Sequence, residues 1–313
     1  MSKSRTSPGR PPARAVGRPT PAAARLPARR GVLVAVSAVA VLAVLVTVAL
    51  LATRGGDDQS SAAGAAPEIA HVHGLGVDPE DGVLYAGTHY GLLRLPEDGD
   101  VARVADREQD FMGFTIAGAN HYLASGHPGE GQDGPSSLGL IESTDGGQTW
   151  QSLSLAGEAD FHSLEARHGK VYGLNSMTGE FMVSDDKTTW DVRSQIPMAD
   201  FAVSPDNPEV LLATTEQGLV RSTDGGRNYE PVAGAPLLQL VSWAEDGTIV
   251  GVQPDGTVQA SIDDAETWEK RDTLGSSPHA FTATSDSELY AAVEGRILYS
   301  NDGGRTFSVR YEK

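Results

Sequence analysis

The 313-residue chain contains no cysteine. Disulfides, thiol catalysis, thiolate metal sites and a lipid-modified cysteine are therefore all excluded. Beyond residue 52 there is no long apolar run, and beyond residue 67 there is little positive charge. Nine of the 24 basic residues but only two of the 42 acidic ones precede residue 68, so the remainder carries about −25. A surface of that sign repels nucleic acid and suits cations or neutral ligands.

Residues 1–30 hold eight basic residues, no acidic ones and many prolines and alanines, the composition of a disordered, positively charged flank. Residues 31–52, GVLVAVSAVAVLAVLVTVALLA, run for 22 positions without a charge. As a helix that length crosses about 30 Å of hydrocarbon and exceeds the roughly 7–15 residues of a secretory apolar region, so a membrane span is expected in preference to a cleaved signal peptide. The positive flank places the amino terminus in the cytoplasm and the residues beyond the span outside it. Residues 53–67, TRGGDDQSSAAGAAP, read as a flexible tether. A single-pass protein of the cell membrane with one extracytoplasmic domain, residues 68–313, is the expectation.

That domain is organised around STDGGQTW, Ser143 to Trp150, which returns as SDDKTTW at Ser184, STDGGRNY at Ser222, SIDDAETW at Ser261 and SNDGGRTF at Ser300. The steps of 41, 38, 39 and 39 residues, with period-2 alternation in each unit, predict a β-propeller. The motif carries turn chemistry: glycines at 146, 147, 225, 226, 303 and 304 for positive φ, and a serine and an aspartate to bond loose backbone groups. The closing aromatics, Trp150, Trp190, Tyr229, Trp268 and Phe307, are expected to wedge between blades.

Aligning upstream of the serines yields an all-β fold of six four-stranded antiparallel blades, beginning near His71, Asp110, Asp160, Met198, Leu238 and His279. In the first blade the turn PEDGD has lost both serine and aromatic. Calling the strands a to d from the axis outward, the d-to-a and b-to-c connections share one face, and the other turns share the opposite face. Six of eight histidines fall on the first face: His71, His73, His89, His127, His162 and His279. His121 and His168 fall on the other.

Imidazoles and carboxylates converging on an axis suit a divalent transition metal such as zinc or copper. His71 and His73, two apart on an extended segment, are expected to point to one side and share an ion. Asp110, Asp160, Asp200, Glu216 and Glu294 are carboxylates on the same rim. A pair of them flanking a cleft, with Asp160, Asp200 and Glu216 foremost, would suit glycoside hydrolysis. The Gly- and Pro-rich stretch 126–137, GHPGEGQDGPSS, on this face is either a lid or specificity loop or a tolerated surface insertion, with His127 at its root.

The five S-x-D-x-G-x-T-W copies resemble the Asp-box, or BNR, repeats of sialidase-like β-propellers. HVHGLGVDP and THYGL, at residues 71–79 and 88–92, also resemble a group of bacterial membrane-anchored proteins labelled glycosyl hydrolases. The resemblance implies the propeller fold and raises sialidase chemistry as a question. A sialidase grips its substrate carboxylate with three arginines, one in an Arg-Ile-Pro context, and attacks with a tyrosine. No Arg-Ile-Pro occurs here, no arginine stands at the start of an a strand, and Arg94 and Arg221 lie on c strands. True sialidase activity is therefore not expected, and three readings stand: a ligand or metal site at the channel mouth, a different glycoside hydrolase, or a surface that docks a partner protein.

Overall fold

The computed structural model describes residues 69, 71–105 and 108–312. The basic flank, the expected membrane span and the tether lie outside these residues. Among the described residues no helix is long and apolar enough to cross a membrane.

Short alternating runs separated by turn residues fold into 24 strands in six sheets of four. Blade 1 is β1 (Val72–Val77), β2 (Leu84–Thr88), β3 (Gly91–Leu95) and β4 (Ala102–Arg103). Blade 2 is β5 (Asp110–Gly118), β6 (His121–His127), β7 (Leu140–Ser143) and β8 (Gln151–Ser154). Blade 3 is β9 (Phe161–Arg167), β10 (Lys170–Asn175), β11 (Glu180–Ser184) and β12 (Asp191–Ser194). Blade 4 is β13 (Met198–Val203), β14 (Leu211–Thr215), β15 (Gly218–Ser222) and β16 (Glu230–Pro231). Blade 5 is β17 (Leu240–Trp243), β18 (Ile249–Val252), β19 (Thr257–Ser261) and β20 (Glu269–Thr273). Blade 6 is β21 (Ala280–Ala283), β22 (Leu289–Val293), β23 (Arg296–Ser300) and β24 (Ser308–Glu312).

Among the described residues all pairings within the sheets are antiparallel between sequence neighbours, and no strand crosses from one blade to another. The expected blade starts agree with the observed ones to within two residues.

Hydrophobic burial lies between blades. Six apolar clusters each join two adjacent blades, the sixth joining blade 6 to blade 1 and so closing the ring. Four of the wedge aromatics pack against the preceding blade as the motif predicted, and Trp190 stacks on Phe161 with ring centroids 4.8 Å apart. Tyr229 does the same against Phe181 and its neighbours. At the closing seam, where blade 1 lacks its aromatic, Val101 takes the place and Arg310 lies over Tyr290 and Tyr299 at 5.4 and 5.1 Å.

The repeated turn is held by one serine and one aspartate. Ser222 Oγ donates to Asp224 Oδ1 at 2.8 Å and accepts the Gly226 N–H at 2.9 Å, while Asp224 Oδ1 accepts the Asn228 N–H at 2.9 Å. Gly226 has φ 87°, and a Cβ there would lie 2.3 Å from the Phe181 ring, so glycine is required. In the fifth blade Asp264 and Ala265 take the same left-handed conformation without glycine, at φ 60° and 64°. Ser222 is buried, and replacing it with alanine leaves the buried Gly226 N–H without an acceptor. Ser222→Ala is expected to cost about 1–2 kcal/mol, read as a lower urea midpoint at unchanged slope.

The innermost strands have a sheet neighbour on one side only, and their outward-facing backbone N–H groups are met from the adjacent blade. Ser125 Oγ accepts from Phe161 N, Glu165 Oε2 from Val203 N, Asp200 Oδ2 from Val241 N and Ser242 Oγ from Ala283 N, at 2.9–3.0 Å. These bonds run around an axial channel of about 470 Å³ lined by β1, β5, β9, β13, β17 and β21.

Candidate functional site

The rim is shaped by a bulge repeated in the first four blades. Register shifts separate Val72 from Gly74, Phe111 from Gly113, Phe161 from Ser163 and Met198 from Asp200. One extra residue enters each innermost strand: His73, Met112, His162 and Ala199. A bulge breaks alternation and re-aims a side chain, and here it brings His73 and His162 to the channel lining. The expectation that His71 and His73 share a side as an extended pair fails on the backbone, since His71 has φ 51° and the shift falls at His73. Both rings nonetheless pack against His89, with centroids 5.0 and 4.6 Å away.

From there a continuous ladder of side chains follows the rim through three blades. His73 Nε2 lies 3.1 Å from His89 Nε2. His89 Nδ1 lies 2.6 Å from Asp110 Oδ1, and His127 Nδ1 lies 3.0 Å from Asp110 Oδ2. His127 Nε2 is 3.5 Å from Asp160 Oδ2, which also sits 2.8 Å from His162 Nε2 and accepts from Ser176 Oγ at 3.1 Å. Asp110 and His127 are the first cross-strand pair of β5 and β6, which explains how one carboxylate reaches connectors of two blades. Asp160 precedes β9, and its N–H is held by Asn175 Oδ1 at 3.2 Å.

Burial sets the charges. The His73 imidazole is held down to about 3, first by burial and then by the neighbouring His89, so it is neutral at physiological pH. Burial pushes the Asp110 carboxyl up, but hydrogen bonds from His89 and His127 outweigh it and keep it below the usual carboxylate range. Asp160 follows the same balance, with His162 its main partner. Because both carboxylates are ionised they accept, and an imidazole facing Asp110 must donate from Nδ1. Both rings are thereby oriented, and each turns its Nε2 edge away from Asp110.

No protein-family model matches the chain. It is 27% identical over 147 residues to the photosystem II assembly lipoprotein Ycf48 of Prochlorococcus marinus, a match covering 44% of this chain and 43% of the relative. The chain thus spans less than half the length of that curated relative. Among solved structures it is similar to a chain of a nidogen/laminin complex, with a TM-score of 0.58 and 12% identity over 74% of this chain and 93% of that one. It is also similar to the GH74 xyloglucanase of Xanthomonas campestris, with a TM-score of 0.52 and 16% identity over 78% of this chain and 46% of the enzyme. At such identities the shared property is the propeller fold.

The remaining residues nominated by sequence stand outside the ladder, although Asp200 and His279 line the same channel. His279 is exposed, with its imidazole held down by burial of its inner part and by His71, against the opposing Glu294. Glu216 stands exposed on the β14–β15 connector and, among the described residues, makes no hydrogen bond to the ladder. Asp200 sits inside β13 rather than on the rim, where Oδ1 accepts from Ser163 Oγ at 2.8 Å and Oδ2 from Val241 N. Burial raises its carboxyl to about 6. Stretch 126–137 is closed at its base by Leu138 N donating to Gly126 O, and is tied down at its middle by Gln132 Nε2 donating to Glu108 O.

Sequence reasoning missed Glu165 on the channel wall, raised to about 7 chiefly by burial and opposed by Arg167. Its one signal was a carboxylate on an innermost strand. Among the described residues no three His, Cys, Asp or Glu side chains are already gathered as a ready metal cage.

Proposed function

We propose that this chain is a membrane-anchored, extracytoplasmic propeller of the Asp-box type whose rim binds a divalent transition metal ion through His73 and His89. The observation that carries the reading is the approach of two Nε2 atoms to 3.1 Å. Two donors about 2.1 Å from one ion, at angles near 90–110°, stand about 3.0–3.4 Å apart. Neutral His73 offers a lone pair, and Asp110 behind His89 is the carboxylate–histidine arrangement that orients a metal ligand. Two protein donors leave positions open toward the channel mouth for a further ligand. Nitrogen donors without thiolate favour zinc, copper(II) or nickel over the alkaline earths.

The test is titration of the EDTA-treated full chain with zinc and with copper(II) by calorimetry. His89→Ala is expected to weaken binding about 30-fold while the melting curve stays cooperative. No binding by the parent chain, or an unchanged affinity in the variant, would overturn the reading.

A second reading, docking of a partner protein on the same face, draws support from Tyr90, Met177 and Leu237, large apolar side chains 49%, 57% and 46% exposed on the rim connectors. Glycoside hydrolysis has less behind it. Asp160 is held ionised by His162, Asp200 is engaged at both oxygens, and Glu216 stands apart.

A further inference from the structure

We infer that the rim binds two cations rather than one, the second between His127, His162 and Asp160, with Asp110 positioning a ligand of each. The inference rests on the rim-metal reading above and extends it to residues that reading does not use.

Asp110 links the two positions. Its two oxygens face the Nδ1 atoms of His89 and His127 at 2.6 and 3.0 Å, so one carboxylate orients both rings. The Nε2 edge of His89 then faces His73. The Nε2 edge of His127 faces Asp160 Oδ2 across 3.5 Å, longer than an ordinary hydrogen bond, and a cation drawn between them would attract both atoms. His162 Nε2, 2.8 Å from the same oxygen, supplies the third donor. Separations of 2.8 and 3.5 Å are about those of neighbouring ligands around an ion with bonds near 2.1 Å. The His127 and His162 rings, 37% and 43% exposed, are not locked by packing and have room to turn toward a shared ion.

An independent observation points the same way. The Asp160 side chain is only 8% exposed, and its other oxygen, Oδ1, is buried without any hydrogen-bond partner. A buried anionic oxygen that accepts nothing is costly unless positive charge stands close to the group. A bound ion supplies that charge. With two nitrogens and one carboxylate oxygen, this position suits a slightly harder ion than the His73–His89 pair, with zinc or nickel fitting best.

The experiment is native mass spectrometry of the EDTA-treated full chain loaded with zinc alone, read as ions per chain, with circular dichroism melts to verify that each variant is folded. All eight histidines lie at or beyond residue 71, so the amino-terminal segment adds no imidazole. The parent chain is expected to take two ions, His89→Ala one and Asp160→Asn one. Asp110→Asn is expected to weaken both by about 10–100-fold. One ion in the parent chain, lost on His89→Ala and kept on Asp160→Asn, overturns the second site and leaves the first standing. Two ions that persist in Asp160→Asn overturn the assignment to these residues, and no bound ion overturns both readings together.

Discussion

Replacing Gly126 with alanine is expected to destabilise the propeller by about 4 kcal/mol and to abolish metal binding at the rim. Gly126 has φ 149°, and a Cβ built there would lie 1.9 Å from the carbonyl oxygen of Asp110 and 2.9 Å from the Met112 nitrogen. Both obstacles are backbone, so no rotamer change relieves them and the ladder between β5 and β6 has to part. The parting falls where Asp110 pairs with His127, which couples the loss of stability to the loss of the site. Gly82→Ala is the control: φ is 68°, but nothing lies within 4 Å of its Cβ, so only about 1 kcal/mol of backbone strain is expected. For a domain of this size about 4 kcal/mol corresponds to a fall in Tm of roughly 10 °C. A Gly126→Ala protein that melts within about 2 °C of the parent would show that the bulge is not fixed as described.

The second large effect concerns pH. Glu165 and Asp200 bind their protons more tightly in the folded chain, near 7 and 6, than in the unfolded one, near 4.5 and 3.8. Between those values the native state holds more protons, so the carboxyls favour folding at low pH, and this advantage is lost as pH rises through about 6 and then 7. The double variant Glu165→Gln/Asp200→Asn removes the titration and keeps the bonds. Glutamine still accepts the Val203 N–H, and asparagine accepts the Val241 N–H while its amide donates to Ser163 Oγ. Raising the pH from about 4 to about 8 is therefore expected to stabilise the variant relative to the parent by about 3 kcal/mol, less than the sum for two independent groups because the carboxylates feel each other. Titration of His73 opposes this trend in both proteins and cancels in the difference. Parallel stability curves across that range would refute the account.

Much of the architecture was legible because the turn chemistry repeats. Five serine–aspartate pairs at a near-constant step defined the blades, and the wedge aromatics found their clefts because each closes its turn and opens the outermost strand, even at Trp190 where the turn is one residue shorter. The clustering of His73, His89, His127 and His162 on one face followed from strand parity alone. What parity could not deliver was direction. The extra residue at His73 and at His162 is invisible in a pattern of apolar and polar letters, yet it turns these rings toward the axis. The same shift at Ala199 carries Asp200 off the rim and into the wall, where its partners come from blades 3 and 5. Asp110 looked like one carboxylate among several. Its role as the bridge between two imidazoles depends on the pairing of β5 with β6, a contact between residues 17 apart.

Among the described residues the joint between the last blade and the first has no shared strand, only Ile69, Val72, Tyr290, Ala292, Ile297 and their neighbours meeting face to face. Every other boundary in the ring is spanned by a covalent connector, whereas this one is spanned by dispersion forces and excluded water. Thermal opening should start there, as a clasp parts before the links of a bracelet. His71 and His279, which face each other across that joint, would be the first pair of imidazoles to lose each other's company.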